Sequence, residues 1–246
     1  MNEGWYLEVD GKLDDLEKLV AIQMKSKFQF LKLQERFFIR SGSFNDCEYI
    51  EDVLKQGEEI IKVINGISEV NLGLNSKIRI LGATIIDKEV QDIVRNHRQN
   101  SFKGIITIRT DLNNENNPEN SLRNWIELSE MDENIRKVFR LLSYGLDSFV
   151  NMYRVYEIIR NDLGKSYLRI LEIDKSEIDR FTGSANRPDA SGELARHGYL
   201  PGEPMKQPPM GISEAYDFIY RMIYKWIHYK VKTNTRVSNL DWDAKD

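Results

Sequence analysis

DLNNENNPENS, residues 111–121, divides the sequence into two parts of different character. The stretch holds five asparagines and one proline, and it has almost no apolar side chain to bury in a core. We therefore predict a linker at residues 113–121. Strand and helix patterns alternate before it, whereas strand patterns largely disappear beyond it. This division predicts an α+β protein with two domains.

The part before the linker, residues 1–112, predicts a small α/β domain. A helical pattern begins at Ile50 and is expected to stop at Asn65 and Gly66, because these two residue types favour the end of a helix. We expect helices to cover one side of a mostly antiparallel sheet. Strand patterns occur at residues 5–9, 27–33, 36–40, 77–86 and 102–110.

The part after the linker, residues 122–233, predicts an all-α helical bundle. Its apolar side chains recur with the period of amphipathic helices, most clearly in the stripe from Ala215 to Ile227, a helix that Ser213 is expected to cap. Residues 234–246 are polar and predict a frayed tail. Residue types that favour helix ends frame two earlier helices. The first is framed by Asp132 and Gly145, and the second by Asp147 or Ser148 and by Gly164.

The composition excludes several classes of function. The 246 residues carry 35 Lys and Arg against 39 Asp and Glu, a net charge of -4, so there is no basic excess for coating nucleic acid. One cysteine, Cys47, and three histidines argue against a metal cluster, and we predict no metal and no cofactor. Phosphate-loop, Rossmann and zinc-protease motifs are absent. Without a signal-peptide pattern or an apolar run of about 18 residues, we expect a cytoplasmic protein with no membrane partner.

TGSANRPDASGELARHGYLPGEP, residues 182–204, is the least helix-like stretch of the second part. Five of the six prolines lie in it or just after it, and proline prevents a helix from running through. An irregular loop of about 25 residues is long for a compact domain, and such loops are usually functional or disordered. We predict an ordered loop over the helices. Its polar side chains either fix that packing or converge on a ligand.

The helix pattern MYRVYEIIRNDLG (152–164), the Asn186 and ARHG (195–198) of the following loop, and the closing amphipathic helix resemble the HEPN superfamily of bacterial helical domains. The resemblance covers about residues 125–230. It implies a bundle of four or five helices, often dimeric. Many members are metal-independent ribonucleases or toxins in antiphage and toxin–antitoxin systems, and others bind partners without catalysis.

The resemblance also implies roles for individual residues. His197 is expected to transfer a proton at a ribose 2′-hydroxyl, and Glu157 is the orienting carboxylate. Arg196 or Arg187 is expected to support charge on the phosphate. The residues expected to contribute to binding are Asn186, Arg187 and Tyr153. RNA or a nucleotide is the ligand implied.

The spacing of the basic residues departs from the R-x4–6-H motif of active family members. Arg187 lies ten positions before His197, and Arg196 is directly adjacent to it. We therefore expect ligand or partner binding, in a defence setting, ahead of ribonuclease activity. A structural subunit of a larger assembly is a third alternative. A homodimer is expected to form through the closing helix, with candidate contacts at Tyr216, Tyr220, Tyr224 and Trp226.

Overall fold

The computed structural model describes residues 4–22, 27–33, 35–70, 77–86, 118–197, 205 and 207–234. The chain divides into two compact units, Met1–Asp132 and Glu133–Asp246. The described part of the first unit contains a sheet and helices, and every described element of the second unit is helical. The α+β class predicted from the sequence is therefore confirmed.

The first unit is built on an antiparallel sheet with the strand order β2-β3-β1-β4 among the described residues. The register places Leu7 opposite Ile39 on one side and Ala83 on the other, and all three side chains are buried. Four of the predicted strands are confirmed, and the fifth, at 102–110, lies outside the described residues. The strands are β1 (Gly4–Asp10), β2 (Phe28–Leu33), β3 (Arg36–Ser41) and β4 (Arg79–Ile86).

The helices of the first unit are α1 (Leu13–Ala21), α2 (Ile50–Val70) and α3 (Pro118–Met131). Gly57 allows α2 to approach the sheet closely, because a Cβ atom there would lie 2.5 Å from Cδ2 of Leu7. The predicted end of α2 at Asn65 and Gly66 is wrong. The amide of Asn65 accepts the N–H of Ile78 at 2.8 Å and donates to its carbonyl at 3.0 Å, so Asn65 anchors the chain entering β4 while the helix continues.

Helix α3 begins at Pro118, within the segment 113–121 that the sequence analysis treats as a linker. Proline is favoured at the first helical position because its missing N–H has no partner there in any case. Residues 113–117 lie outside the described residues. Helix α3 contacts α2 and buries Trp125 and Ile126, so it belongs to the first unit, and the two units divide after Asp132.

The second unit is centred on α5, which contacts α4, α7 and α9. The predicted limits of α5 are confirmed: the Ser148 hydroxyl accepts the N–H of Asn151 at 3.4 Å, and Gly164 ends the helix at a φ of 61°. Its helices are α4 (Glu133–Ser143), α5 (Phe149–Leu163), α6 (Tyr167–Leu171), α7 (Lys175–Asn186), α8 (Pro188–Ser191) and α9 (Ile212–Thr233).

Helix α9 differs from its prediction at its start and at one side chain. It begins at Ile212 with Gly211 in the capping position, not with Ser213. Trp226, predicted as a dimer contact, is fully buried, and its indole N–H donates to the carboxylate of Asp162 at 2.8 Å. A buried indole requires such an acceptor, which ties this side chain to the core. Residues 235–246 of the predicted tail lie outside the described residues.

None of the described helices combines the length and the apolar character that a membrane crossing requires.

Candidate functional site

Residues 182–194 are mainly helical, where the sequence analysis predicted an irregular loop. The first proline comes only at position 188, so α7 continues as far as Asn186. The residue before a proline is pushed out of the helical region, and Arg187 accordingly has φ -108° and ψ 120°. Pro188 then starts α8. Residues 198–204 lie outside the described residues.

The chain returns after α8 to the carboxyl end of α7. The backbone N–H of Arg196 donates to the carbonyl of Ala185 at 2.7 Å, and the Ser191 hydroxyl donates to the carbonyl of Ser184. The last carbonyls of a helix have no partner within it, and these two groups supply one from outside. This return fixes the backbone of Arg196 next to Asn186.

Helix α5 contributes the aromatic floor of the site. Tyr153 and Tyr156 lie on one helical face, with ring centroids 5.5 Å apart. The Tyr153 ring stacks on Phe181 of α7 at 6.3 Å and is 8% exposed. The ring is therefore held in place by the core of the second unit.

Four of the predicted site residues meet here in what we call the Arg196 cluster: Tyr153, Glu157, Asn186 and Arg196. The guanidinium carbon of Arg196 lies 4.2 Å from the centroid of the Tyr153 ring. Its Nη1 donates to the side-chain oxygen of Asn186 at 3.4 Å, and its Nη2 lies 3.7 Å from a carboxylate oxygen of Glu157. The side chains of Arg196 and Glu157 are each 35% exposed. The guanidinium is thus positioned by three side chains and still reaches solvent.

A second guanidinium lies beside the Arg196 cluster. The guanidinium carbon of Arg160 is 5.4 Å from the centroid of the Tyr156 ring. The phenol group of Tyr156 raises the pKa of Arg160, and the carboxylate of Glu157 adds to the effect. Burial and the neighbouring Tyr167 hydroxyl raise the pKa of Tyr156 to about 12, so its phenol is neutral at physiological pH. Arg160 is not among the site residues predicted from the sequence, although its spacing of three from Glu157 on one helix could have indicated it.

The two other predicted site residues stand apart from the Arg196 cluster. Within the described part of the chain, the exposed His197 makes no hydrogen bond or ion pair. Arg187 instead forms a two-point ion pair with Asp189, both N–O distances being 2.8 Å. This pair raises the pKa of Arg187 and lowers the pKa of Asp189. The guanidinium fork of Arg187 is therefore directed at a neighbouring carboxylate.

The proline-rich stretch at 207–211 has a structural role in the described residues. Arg180 of α7 donates to the carbonyls of Pro208 at 2.8 Å and Pro209 at 3.2 Å. The buried N–H of Met210 donates to the Ser184 hydroxyl at 2.7 Å. These bonds fasten the segment that leads into α9 onto α7.

No group of three or more His, Cys, Asp or Glu side chains in the described ranges is placed to hold a metal ion. The chemistry of the Arg196 cluster is therefore that of hydrogen bonds, charge and ring faces. No protein-family model matches the chain, and no curated protein or solved structure is detectably similar to it. The function of the cluster must then follow from its own geometry.

Proposed function

We propose that the second unit is a HEPN-like helical module that binds single-stranded RNA through Arg196 without cleaving it. The observation that carries the proposal is the placement of Arg196. Its guanidinium lies on the Tyr153 ring and is held by Asn186 and Glu157, yet one third of the side chain is exposed. A cation fixed in this way has already lost most of the conformational freedom that binding would otherwise remove.

The chemistry of a guanidinium suits two parts of an RNA strand. Its N–H groups donate to two oxygens of one phosphate, and its plane stacks on an unpaired base. With Tyr153 against one face, the other face of Arg196 is the one that a base would cover. The net charge of -4 agrees with a local site that contacts few phosphates. The affinity should therefore fall only weakly with salt, with a slope of about -1 to -2 in log units for two or three phosphate contacts.

Binding without cleavage is favoured by the surroundings of His197. A general base must be oriented toward the proton that it removes, and His197 has no orienting partner within the described residues. Metal-independent ribonuclease activity is the alternative to binding without cleavage, and the experiment below distinguishes the two.

Fluorescence anisotropy with a labelled single-stranded oligoribonucleotide tests the proposal. We expect Arg196→Ala to weaken binding by about tenfold or more, the value of a charge-assisted hydrogen bond. Arg221→Ala is the matched control, because it removes the same charge from an exposed ion pair with Glu177 in the same unit, and it should change little. Failure of the wild-type protein to bind RNA, or equal binding by Arg196→Ala, overturns the proposal.

Two further arms of this experiment identify the ligand and the chemistry. The RNA should stay intact when it is incubated with the wild-type protein in the presence of EDTA. Cleavage by the wild-type protein that is lost in His197→Ala would establish the ribonuclease instead. A nucleoside monophosphate should compete only weakly. Competition at the affinity of the RNA would overturn the assignment of RNA and identify a free nucleotide as the ligand.

The homodimer expected through α9 is a separate proposal about partners. The rings of Tyr216 and Tyr220 stack at 6.2 Å and 24°, and both side chains are partly exposed. Partly exposed tyrosines on one helical face are typical of protein interfaces. Light scattering at increasing concentration should show the mass of a dimer, and a constant monomer mass at high concentration rejects it.

A further inference from the structure

We propose that Glu157 is an internal anion that stands in for a ligand phosphate at the guanidinium groups of Arg160 and Arg196, and that a bound phosphate displaces it. The inference rests on the proposed RNA binding and adds two things to it. It makes Arg160 a second ligand-binding residue. It also predicts that one residue of the site opposes binding.

Two neighbouring rings each carry one guanidinium. The Tyr153 and Tyr156 rings are 5.5 Å apart, and the guanidinium carbons lie 4.2 Å from the first centroid and 5.4 Å from the second. The π face of tyrosine attracts a cation, so each ring positions its arginine. Two donor groups of the same kind are thereby placed against neighbouring rings on one face of α5.

Glu157 forms an ion pair with Arg196 and acts on Arg160 through its charge. It lies 3.7 Å from Nη2 of Arg196, and it is three residues before Arg160 on the same helix, a spacing that makes the two side chains neighbours on the helix surface. Its negative charge offsets part of the positive charge that the two guanidiniums bring to this face. The carboxylate therefore stabilises the empty site.

The contact with Glu157 is weak enough for a ligand to replace it. A distance of 3.7 Å is longer than a hydrogen bond, and both partners are 35% exposed, so the pair contributes little in water. One carboxylate also leaves one of the two positive charges of the arginines uncompensated. A phosphodiester brings one negative charge and two free oxygens, which can accept from both arginines.

This arrangement gives Glu157 opposite effects on the empty and the occupied site. Neutralising Glu157 removes an anion that competes with the phosphate, so the affinity for RNA should rise. A residue that merely supported the shape of the site would lower the affinity when changed. The direction of the change therefore separates the two roles.

The test compares the RNA affinity of Glu157→Gln with that of the wild-type protein. We expect about twofold to fivefold tighter binding, the range expected for an exposed ion pair. Glu177→Gln is the matched control, because Glu177 is the carboxylate of the exposed pair with Arg221 and should alter the affinity only through long-range charge. Arg160→Ala should weaken RNA binding severalfold, because it removes one exposed contact with the phosphate.

Two additional measurements assign the gain to the phosphate. In the Arg196→Ala background, Glu157→Gln should tighten binding less than it does in the wild-type protein, because Glu157 then competes with the phosphate only at Arg160. With an RNA probe whose backbone linkages are uncharged methylphosphonates, the gain should also vanish. Urea unfolding of each variant confirms that the second unit is folded.

The outcomes separate this inference from the proposed function. If the wild-type protein binds RNA through Arg196 but Glu157→Gln binds equally or more weakly, Glu157 is not an internal anion and RNA binding stands. A gain of the same size in Glu177→Gln also overturns the inference, because it would then be a general charge effect. If the wild-type protein does not bind RNA, the proposed function itself fails.

Discussion

The ammonium nitrogen of Lys230 on α9 lies 2.7 Å from a carboxylate oxygen of Asp162 at the end of α5. The same carboxylate accepts from Asn134 of α4 at 2.8 Å and from Trp226 at 2.8 Å, and only 9% of its side chain is exposed. Burial alone would raise the pKa of Asp162. The hydrogen bonds from Lys230, Asn134 and Trp226 outweigh it and lower the pKa. One charged group thus joins three helices of the second unit.

Asp162→Ala should strongly destabilise the second unit. Removing one partner of a buried ion pair costs about 3–5 kcal/mol, because the remaining donors lose their acceptor. Asp162→Asn should lose less, since an amide oxygen still accepts from Trp226. Urea unfolding measures both. Asp179→Ala, which removes a carboxylate from an exposed pair with Lys175, is the control and should stay within about 0.5 kcal/mol. Equal effects at Asp162 and Asp179 would contradict the buried role.

The lowered pKa of Asp162 also predicts how stability changes with pH. The folded state holds the carboxylate ionised more strongly than the unfolded chain does. The contribution of Asp162 is therefore complete above the unfolded pKa of about 3.9 and is lost as the pH falls through the folded value. The free energy of unfolding of Asp162→Asn should depend less on pH below about pH 4 than that of the wild-type protein. Parallel curves for the two proteins would show that the group does not titrate in this way.

Gly57→Ala should destabilise the first unit although alanine favours helix. The new Cβ atom would lie 2.5 Å from Cδ2 and 3.0 Å from Cδ1 of Leu7, which is fully buried and cannot move aside. Overpacking of this kind costs about 1–3 kcal/mol of stability. The better helix propensity of alanine returns roughly 1 kcal/mol, so the net effect is destabilising unless the overpacking cost is at the lower end of its range.

Thermal and urea unfolding of the full chain measure the effect of Gly57→Ala. In the Leu7→Ala background the same change should become neutral or stabilising, because the overlapping atoms are gone. Gly42→Ala is the control, since nothing lies within 4 Å of the Cβ position there. A stabilised Gly57→Ala protein would show that the sheet and α2 can separate at little cost.

Ser184→Ala should destabilise the second unit by about 1–3 kcal/mol, because it leaves the buried N–H of Met210 without its acceptor at 2.7 Å. Thr182→Ala on the same helix is the comparison. The Thr182 hydroxyl donates to the carbonyls of Ile178 and Asp179 of its own helix, so its loss should cost much less. Urea unfolding of the two variants gives the difference. A Ser184→Ala protein as stable as the wild type would mean that the 207–211 segment is not fastened through this bond.

Tyr153→Leu should weaken RNA binding by about twofold to tenfold, because the cation–π contact that positions Arg196 is worth about 0.5–1.4 kcal/mol at a partly exposed site. Tyr153→Phe keeps the ring face and should bind as the wild type does. The anisotropy measurement used for Arg196→Ala checks both. Loss of binding in Tyr153→Phe would assign the role to the phenol hydroxyl and not to the ring.

Most regular elements of the fold could be predicted because their signals are local. Ser148 begins α5 through a hydrogen bond to a residue three positions away, and Gly164 ends it through its own backbone angle. Such short-range signals are visible in the sequence. Local signals gave the wrong prediction where a residue bonds a partner that is distant in the sequence. Asn65 was expected to end α2 but bonds the backbone of Ile78, thirteen residues further along the chain. Trp226 was expected at a surface but donates to Asp162 in the core.

The candidate site was predictable in part. The resemblance to the HEPN superfamily pointed to Glu157, Asn186 and Arg196, and the structure brings them together around Tyr153. The spacing between them in the chain gave no indication that the N–H of Arg196 would bond the carbonyl of Ala185, which sets the position of the guanidinium. The same return of the chain brings Arg196, but not Arg187, onto the α5 face that carries Arg160.

The sequence by itself determined the α+β class, the four described strands and the limits of α5, because periodicity, capping and turn preference act over a few residues. The tertiary structure decided which polar side chains meet, where the two units divide, and that the stretch from Thr182 continues as helix to Asn186. Contacts between residues far apart in the chain depend on how the helices pack. That packing is set by the whole core and by no single segment.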